Sequence, residues 1–434
     1  MEENNKIKKT IALVSFDPIG DKMAGVAIRY LELAKILSKN YQVILFATQG
    51  STLKSSDFQV VVFNPKRQTS DIGHRLSNVQ YLVAQNLAPE LLRILQKRNI
   101  RFIADLYDPI LTETLEYEKD NWPAKMKRIL NYHRSALILQ LTFANHLLYA
   151  NRRQQDLYAG VMSATGILDG KFAVDGFNLD NFMTEAPFGV ADEKAKLDDK
   201  NRLFSKFPKI KPTDTIVVWG GGIWNWFDPI SLIKALAILK NKHPEIKLLF
   251  YGVGHPNPKI KKMKMAAEAI DLAKKNGTFD ENVFFNTDWV DYQKRVDFLL
   301  PAKIGVSTHF NNVETHFSFR TRILDYLWTE LPMVLTRGDF FAELCQKENL
   351  GIVVDFQSPN EIAEAIKKLA TDGKLRDTIR ENIRKVRERF FWSEIGKKIA
   401  AIIENDHFIN RQVSTGRYFQ LKFGFYYHWL KKKI

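Results

Sequence analysis

Short apolar runs alternate with amphipathic stretches along most of the chain, and that alternation sets the fold class before any single residue is weighed. In the first half, Thr10 to Phe16, Tyr41 to Ala47 and Val60 to Phe63 are bounded apolar segments. Strands buried on both faces of a parallel sheet have this pattern. Between the first two, Val26 to Leu37 sets Ile28, Leu31, Ala34 and Leu37 on helical faces. Arg101 to Pro109, RFIADLYDP, is a strand that runs into polar residues. Beyond Pro212 the alternation resumes, with apolar runs from Thr215, at Lys247 to Tyr251, Val283 to Phe285, Lys303 to Val306, Met333 to Leu335 and Ile352 to Val354. Helical spacing is found at Ile260 to Lys275, Asn360 to Leu369, Leu375 to Arg389 and Ser393 to Ile403. Alternation of this length predicts an α/β chain of two Rossmann-like β/α/β halves. The boundary is expected near Gly189, because Asp192 to Pro212 is charged, lacks apolar periodicity and reads as a linker.

Two stretches carry candidate chemistry. Ser307 to Thr336 places Glu314, Ser318, Arg320, Arg322 and Asp325 between two apolar runs, with Ile323, Tyr326 and Leu327 at helical spacing. The order strand, loop, helix, strand puts the loop and the helix start at the carboxyl ends of the strands. Open α/β sheets bind ligands there, and free amides with the helix dipole favour an anion. Two arginines add forked cations suited to phosphate. The plain alternative is a set of surface ion pairs on an amphipathic helix. The other stretch, Thr215 to Leu239, reads TIVVWGGGIWNWFDPISLIKALAIL. Gly220, Gly221 and Gly222 let the backbone approach a ligand closely, Trp224 and Asn225 lie beside them, and Asp228-Pro229 signals a helix start. The alternative there is a tight turn without a ligand. In the first half, the loop FDPIGDKMAG carries Gly20 and Gly25, and Asp105 and Asp108 are expected at the ligand end of their sheet. Asp108-Pro109 could instead only cap a helix beginning at Ile110.

At these residues the chain resembles the retaining glycosyltransferases of the GT-B fold, family 4. Their motif is a glutamate, seven residues, a second glutamate, then a small residue and Pro. Asp325 stands seven positions before Pro332 and fits the second acid, and Glu314 is the nearest candidate for the first. Eight positions before Asp325 is Phe317, three beyond Glu314, so either the loop is longer than in the family or Glu314 has another job. The resemblance implies that Asp325 binds the ribose and Glu314 the donor sugar. It implies that Gly221, Gly222, Arg320 and Arg322 hold the diphosphate, since the Arg and Lys usual in the glycine loop are missing. Trp224, Asn225, Ser318 and Gly25 complete the donor side, and Asp105 or Asp108 orients the acceptor or acts as a base. The implied fold has two Rossmann-like domains facing each other across a cleft: 1–189 for the acceptor, 190–404 for the nucleotide sugar, and 405–434 as a tail. The segment after Trp392 is expected to cross back to the first domain. The implied reaction moves a sugar from a UDP- or GDP-linked donor to a glycan or lipid-linked acceptor, with retention, in bacterial cell-surface polysaccharide or glycolipid synthesis. The acceptor hydroxyl would attack on the face the diphosphate leaves. No Asp-x-Asp pair occurs, so neither a metal nor a further cofactor is expected.

Composition changes this picture mainly through charge. A chain of 434 residues, 45% hydrophobic, has room for two or three domains at about 150 residues each. The single cysteine, Cys345, rules out a disulfide framework and fits core packing in a reducing compartment. The longest apolar stretch, Ala136 to Tyr149, is interrupted by Gln140, Asn145 and His146 and is too short to span a bilayer. Net charge is +15, which calls for an acidic partner. Arg411 to Ile434 combines six basic residues, none acidic, with seven aromatic rings; Trp122 to Arg134 is a second basic amphipathic stretch. Such segments suit an anionic membrane surface, so the enzyme is expected to be cytoplasmic and peripheral on the inner face of the membrane. Docking of the tail onto the first domain is the alternative. A nucleic-acid-binding protein would use the same charge, but no zinc spacing, aromatic RNA-binding motif or helix-turn-helix supports it. A sugar-nucleotide epimerase or a phosphorylase on the same fold remains open, though nothing singles out a lysine for pyridoxal phosphate.

Overall fold

The strands of both sheets are the apolar runs: Thr10–Ser15 is buried at every position, and so is Thr215–Trp219. The structure, a computed structural model, describes residues 8–170, 178–253, 263–406 and 408–433. Two compact units emerge, Met1–Phe188 together with Trp392–Ile434, and Gly189–Phe391. The first unit thus closes at Phe188 and resumes at Trp392, so the segment 392–404, assigned by sequence to the second domain, belongs with the first.

In the first unit the strands are β1 (Thr10–Ser15), β2 (Gln42–Thr48), β3 (Gln59–Phe63), β4 (Tyr81–Ala84), β5 (Arg101–Asp105), β6 (His146–Tyr149) and β7 (Met183–Glu185). They form one seven-stranded parallel sheet in the order β3-β2-β1-β4-β5-β6-β7. Its helices include α1 (Gly25–Leu37), α2 (Gln68–Gly73), α3 (Pro89–Lys97) and α4 (Pro123–Phe143). The apolar stretch Ala136 to Tyr149 divides into the end of α4 and all of β6. Its four polar residues are buried and partnered: Gln140 bonds the backbone of Leu87, Thr142 Oγ1 donates to Ile138 O at 2.7 Å, Asn145 accepts from Phe102 N at 2.8 Å, and His146 meets Thr184 Oγ1 at 2.9 Å. No helix among the described residues is long and apolar enough to cross a membrane.

A buried ion pair ties α1 to β5. Arg29 and Asp105 are fully buried; Nε and Nη2 of Arg29 donate to the two carboxylate oxygens at 2.8 and 2.7 Å. The same guanidinium donates to Pro187 O at 2.6 Å and Ala186 O at 2.8 Å, and lies 4.5 Å from the Tyr107 ring. Asp105, expected to face a ligand, is therefore committed inside the unit: both oxygens and every face of its partner are taken. Removing one member leaves an uncompensated charge in a low-dielectric interior.

The second unit holds β8 (Thr215–Trp219), β9 (Ile246–Phe250), β10 (Val283–Phe285), β11 (Ile304–Ser307), β12 (Met333–Thr336) and β13 (Gly351–Val354). The sheet is parallel, in the order β10-β9-β8-β11-β12-β13. The order reverses between β8 and β11, so the loops after those two strands flank a crevice at the carboxyl end of the sheet. The helices that matter here are α5 (Pro229–Leu239), α6 (Val313–Phe317), α7 (Thr321–Trp328) and α8 (Phe340–Glu348). Cys345 is buried on α8, and burial pushes its thiol up to about 12, as for an inert core cysteine. Gly254, and Ile260 where one helix was expected to begin, lie outside the described residues; that helix is seen at Lys264–Lys275.

Two last helices, α9 (Trp392–Glu404) and α10 (Thr415–Lys433), complete the first unit. On α9, Gly396 faces Ile36 of α1 so closely that a Cβ would stand 2.2 Å from a methyl carbon. Glu404 accepts from Tyr41 Oη and Lys9 Nζ. Helix α10 lies antiparallel along α4, Tyr418 meeting Phe143 and Phe425 meeting Tyr132. The basic aromatic tail is thus a helix with one face docked on the first unit.

Tyr326, on α7, fixes the crevice end of the second sheet. Its hydroxyl accepts from Gly220 N at 2.9 Å and lies 2.8 Å from Val306 O and 3.1 Å from Val218 O. Its ring covers Gly305 of β11, where a Cβ would fall 2.6 Å from ring carbon Cγ.

Two sets of variants test these contacts by urea unfolding of the full chain. Asp105→Ala is expected to lose about 3–5 kcal/mol, whereas Arg29→Met with Asp105→Leu recovers most of it; a single variant as stable as the parent would show the pair to be solvated. Gly305→Ala and Tyr326→Phe are each expected to cost about 1–3 kcal/mol, one by overpacking and one by orphaning a buried amide. Parental stability in both would remove Tyr326 from that role.

Candidate active site

Three glycines follow β8 without interruption, and the middle one requires a backbone that other residues resist: Gly221 has φ +75° and open space where a Cβ would point. Downstream, Trp224 stacks on Trp226 with centroids 5.3 Å apart, and Asn225 is buried with Oδ1 accepting from Met265 N at 3.2 Å. Asp228 then caps α5 by accepting from Ser231 N at 2.9 Å, and Pro229 takes the first helical position. The loop is therefore anchored at its far end by a capped helix and at its near end by Tyr326.

Arg322 reaches this loop from α7. Its Nη2 donates to Gly222 O at 2.8 Å, and its guanidinium carbon lies 4.5 Å from the Trp219 ring and 4.0 Å from the Phe227 ring. It has no ion-pair partner among the described residues, and Nη1 is buried without a hydrogen bond. Burial lowers its pKa to about 10, with Arg320's charge adding to the effect. It stays charged at neutral pH, a cation held against the backbone of the glycine loop.

Glu314 and Arg320 are placed differently from expectation. Glu314 sits in α6, which Asn312 caps by accepting from Thr315 N at 2.8 Å. That single helical turn occupies the extra length between the two acids. Both carboxylate oxygens of Glu314 accept from Arg320, Oε1 from Nη1 and Oε2 from Nη2, each at 2.7 Å, and both residues are buried. Arg320 Nε also faces Asp339 at 3.7 Å, and His309 approaches the same carboxylate at 3.4 Å. Burial pushes the Asp339 carboxyl up, but His309 and Arg320 more than offset this and hold it below the usual range. The two forked groups satisfy each other, so neither presents a free charge, and the pair braces the loop that leads into α7. Ser318, between them in sequence, is buried, its Oγ donating to Thr315 O at 3.0 Å.

Asp325 lies on α7 with its side chain 20% exposed. Arg295 Nε donates to Oδ1 at 2.9 Å and Tyr251 Oη to Oδ2 at 3.3 Å. Arg295 is itself stacked between Tyr292 and Trp328, at 3.8 and 4.5 Å from their rings. Burial opposes its charge, but Asp325 beside it raises its pKa. A carboxylate has about four acceptor sites, so Asp325 keeps capacity for hydroxyl donors while being held in one orientation. Sequence reasoning missed Arg295 and Tyr251; the only signal was a tyrosine at the end of a strand before Gly252.

In the first unit Gly25 opens α1, its Cβ direction 3.9 Å from Phe188. Asp108 follows β5 and does not cap the next helix, Ile110–Tyr117, whose capping residue is Pro109 with no side-chain bond. It is only partly buried, with Gln85 Nε2 at 3.5 Å from Oδ2. Burial and the negative charge of Asp105 raise its carboxyl to about 7, against the hydrogen bond of Tyr107 and the charge of Arg29. Of the two first-unit acids expected at a ligand, Asp108 is the one whose side chain is left partly exposed.

Comparison with known proteins agrees with this architecture. Residues 202–386, inside the second unit, match the family described as Glycosyl transferases group 1. Among solved structures the chain is similar to WaaG, a glycosyltransferase involved in lipopolysaccharide biosynthesis, at 16% identity with a TM-score of 0.62, over 91% of this chain and 99% of that one. HepE from Anabaena, solved with UDP and glucose, is similar at 15% identity with a TM-score of 0.65, over 92% and 99%. Sucrose-phosphate synthase from Thermosynechococcus elongatus is similar at 14% identity with a TM-score of 0.64, over 92% and 99%. No curated protein matches by sequence. At such identities the structures speak for the fold, and the family match speaks for residues 202–386 alone: the chain has the GT-B fold, and its second unit is similar to the group 1 glycosyltransferases.

Proposed function

We propose that this chain is a family 4 glycosyltransferase that transfers a sugar, with retention, from a UDP- or GDP-linked donor to a glycan or lipid-linked acceptor, working at the cytoplasmic face of a bacterial membrane in surface-glycan synthesis. The observation that carries the donor site is Arg322, a partly buried cation without a carboxylate partner among the described residues, set against the Gly220–Gly222 loop. A diphosphate supplies the missing negative charge. The amides of Gly221 and Gly222 and the Arg322 guanidinium then meet the charge that grows on the leaving group as the glycosidic bond breaks. Asp325, oriented by Arg295 and Tyr251, accepts from the ribose hydroxyls. Glu314 and Arg320 position the loop rather than touch the sugar, which departs from what the family resemblance implies. Trp224, Asn225 and Ser318 shape the surrounding wall. The acceptor proton passes to a diphosphate oxygen or to Asp108. HepE has been solved with UDP-glucose, so UDP-glucose is the first donor to try.

The test is nucleotide release from UDP- and GDP-sugars, with the product anomer read by NMR. Arg322→Ala is expected to lower kcat about 100-fold or more while changing donor KM far less, and Arg322→Lys to recover part of the loss. Asp325→Ala is expected to raise donor KM with the fold intact. Full turnover in Arg322→Ala, or an inverted product, ends this reading.

Asp108 generates a pH dependence with a definite sign. Only the ionised carboxylate accepts a proton, so kcat/KM should climb as pH rises through about 7 and level off above it. In Asp108→Asn that rising limb should vanish along with most of the rate. An unchanged limb in the variant would assign it to another group.

A further inference from the structure

Helix α10 leaves a second face uncovered beside the one it docks. Tyr418 and Phe425 are buried, whereas Phe419, Phe423, Tyr427 and Leu430 are 59%, 73%, 47% and 56% exposed. Their spacing of four, four and three residues makes one stripe along the helix. Trp122, 83% exposed, precedes α4 at the end where α10 terminates, since Lys432 lies 4.4 Å from the Tyr132 ring and Phe425 packs on the same residue. An exposed stripe of this kind, rimmed by Lys431 and Lys433, marks an interaction surface and not a solvated helix face.

Alongside the docked face runs a groove of about 920 Å³ between α10 and α2. Lys66, Arg67, His74 and Arg98 line one side, with Tyr426 and Trp429 on the other. No carboxylate lines it. Glu90 on α3 is already engaged by Lys422 at 2.8 Å and by Tyr426 Oη at 2.7 Å. Arg98 donates to Gly73 O at 2.9 Å, satisfying the end of α2, and Arg67 is 3.6 Å from Asp71. The groove is therefore an opening with net positive charge, floored by rings and contiguous with an apolar stripe.

We propose that the groove holds the phosphate headgroup of an anionic phospholipid while the Phe419–Leu430 stripe enters the headgroup layer, seating the first unit on an acidic leaflet. The inference rests on the reading that the acceptor is met at a membrane. Rings and leucine with few hydrogen-bond donors suit the interfacial layer, and the cations suit lipid phosphates. Nucleic acid could use the same cations, but the stripe offers it little.

The test is flotation of the full chain with phosphatidylcholine vesicles, with and without phosphatidylglycerol. Lys66→Gln with Arg67→Gln is expected to weaken binding to the phosphatidylglycerol vesicles about tenfold or more. A remote pair carrying the same charge loss, Lys374→Gln with Lys385→Gln on the second unit, should stay close to the parent. Phe419→Ser with Phe423→Ser should abolish binding to both vesicle types. Groove variants that bind like the parent, or no worse than the remote pair, would overturn the headgroup site. Displacement by millimolar inorganic phosphate would make it an ion site, and retention by RNA without vesicle binding would make it a nucleic-acid surface; either overturns the proposal. Donor turnover by the parent is read in the same samples. Turnover without vesicle binding sinks only the membrane inference, and vesicle binding without turnover sinks only the transferase reading.

Discussion

The hydroxyl of Tyr326 sits where β8 and β11 part, and much of the candidate donor site depends on that one group. It takes the Gly220 amide and faces the carbonyls of Val218 and Val306, so the first glycine of the loop cannot drift without orphaning a buried polar group. The ring needs Gly305 beneath it, which explains a glycine inside an otherwise apolar strand. From the same helix, Arg322 reaches the loop and Asp325 points toward Arg295 and Tyr251. A single helix thus carries the brace, the cation and the acid, and its register against the sheet sets all three together.

Buried ion pairs do a different job from a cation without a carboxylate partner. Glu314 with Arg320, and Arg29 with Asp105, are forked and mutually satisfied, and such pairs hold geometry because breaking either is costly. Arg322 has the same side chain and is only partly buried, and it has no ion-pair partner among the described residues. The contrast between two arginines two positions apart separates one locked in a forked pair from one proposed to meet a ligand.

Most of the fold was legible because buried parallel strands announce themselves as apolar runs, and β1, β2, β8 and β12 do so plainly. Strands β4 and β7 were not read out: β4 stands between two glutamines with no glycine or proline to mark it, and β7 is three residues of which one is buried. Strand β6 was hidden differently: α4 ends and β6 begins within one apolar stretch, with no glycine or proline between them, and Asn145 makes the turn by bonding Phe102 across the sheet. In the site, the glycine loop and Arg322 could be found from spacing. The pairing of Glu314 with Arg320 could not, because the intervening turn of helix decides which way the carboxylate points. Arg295 lies 30 positions from Asp325 and Tyr251 lies 74 positions away, separations at which local sequence carries no signal.

The return of α9 and α10 to the first unit has a consequence for how the chain is made. Val413, Tyr418 and Phe425 belong to the first unit's apolar core, yet the whole of Gly189–Phe391 is synthesised before them. At ~5–20 residues per second, the faces of α1, α3 and α4 that these segments cover stay open for roughly 10–40 s after the rest of that unit has left the ribosome. The second unit, contiguous in sequence, can close first. The first must wait with exposed leucines and aromatic rings, which makes it the half that chaperones would meet during synthesis and the half that a premature stop would leave unfinished.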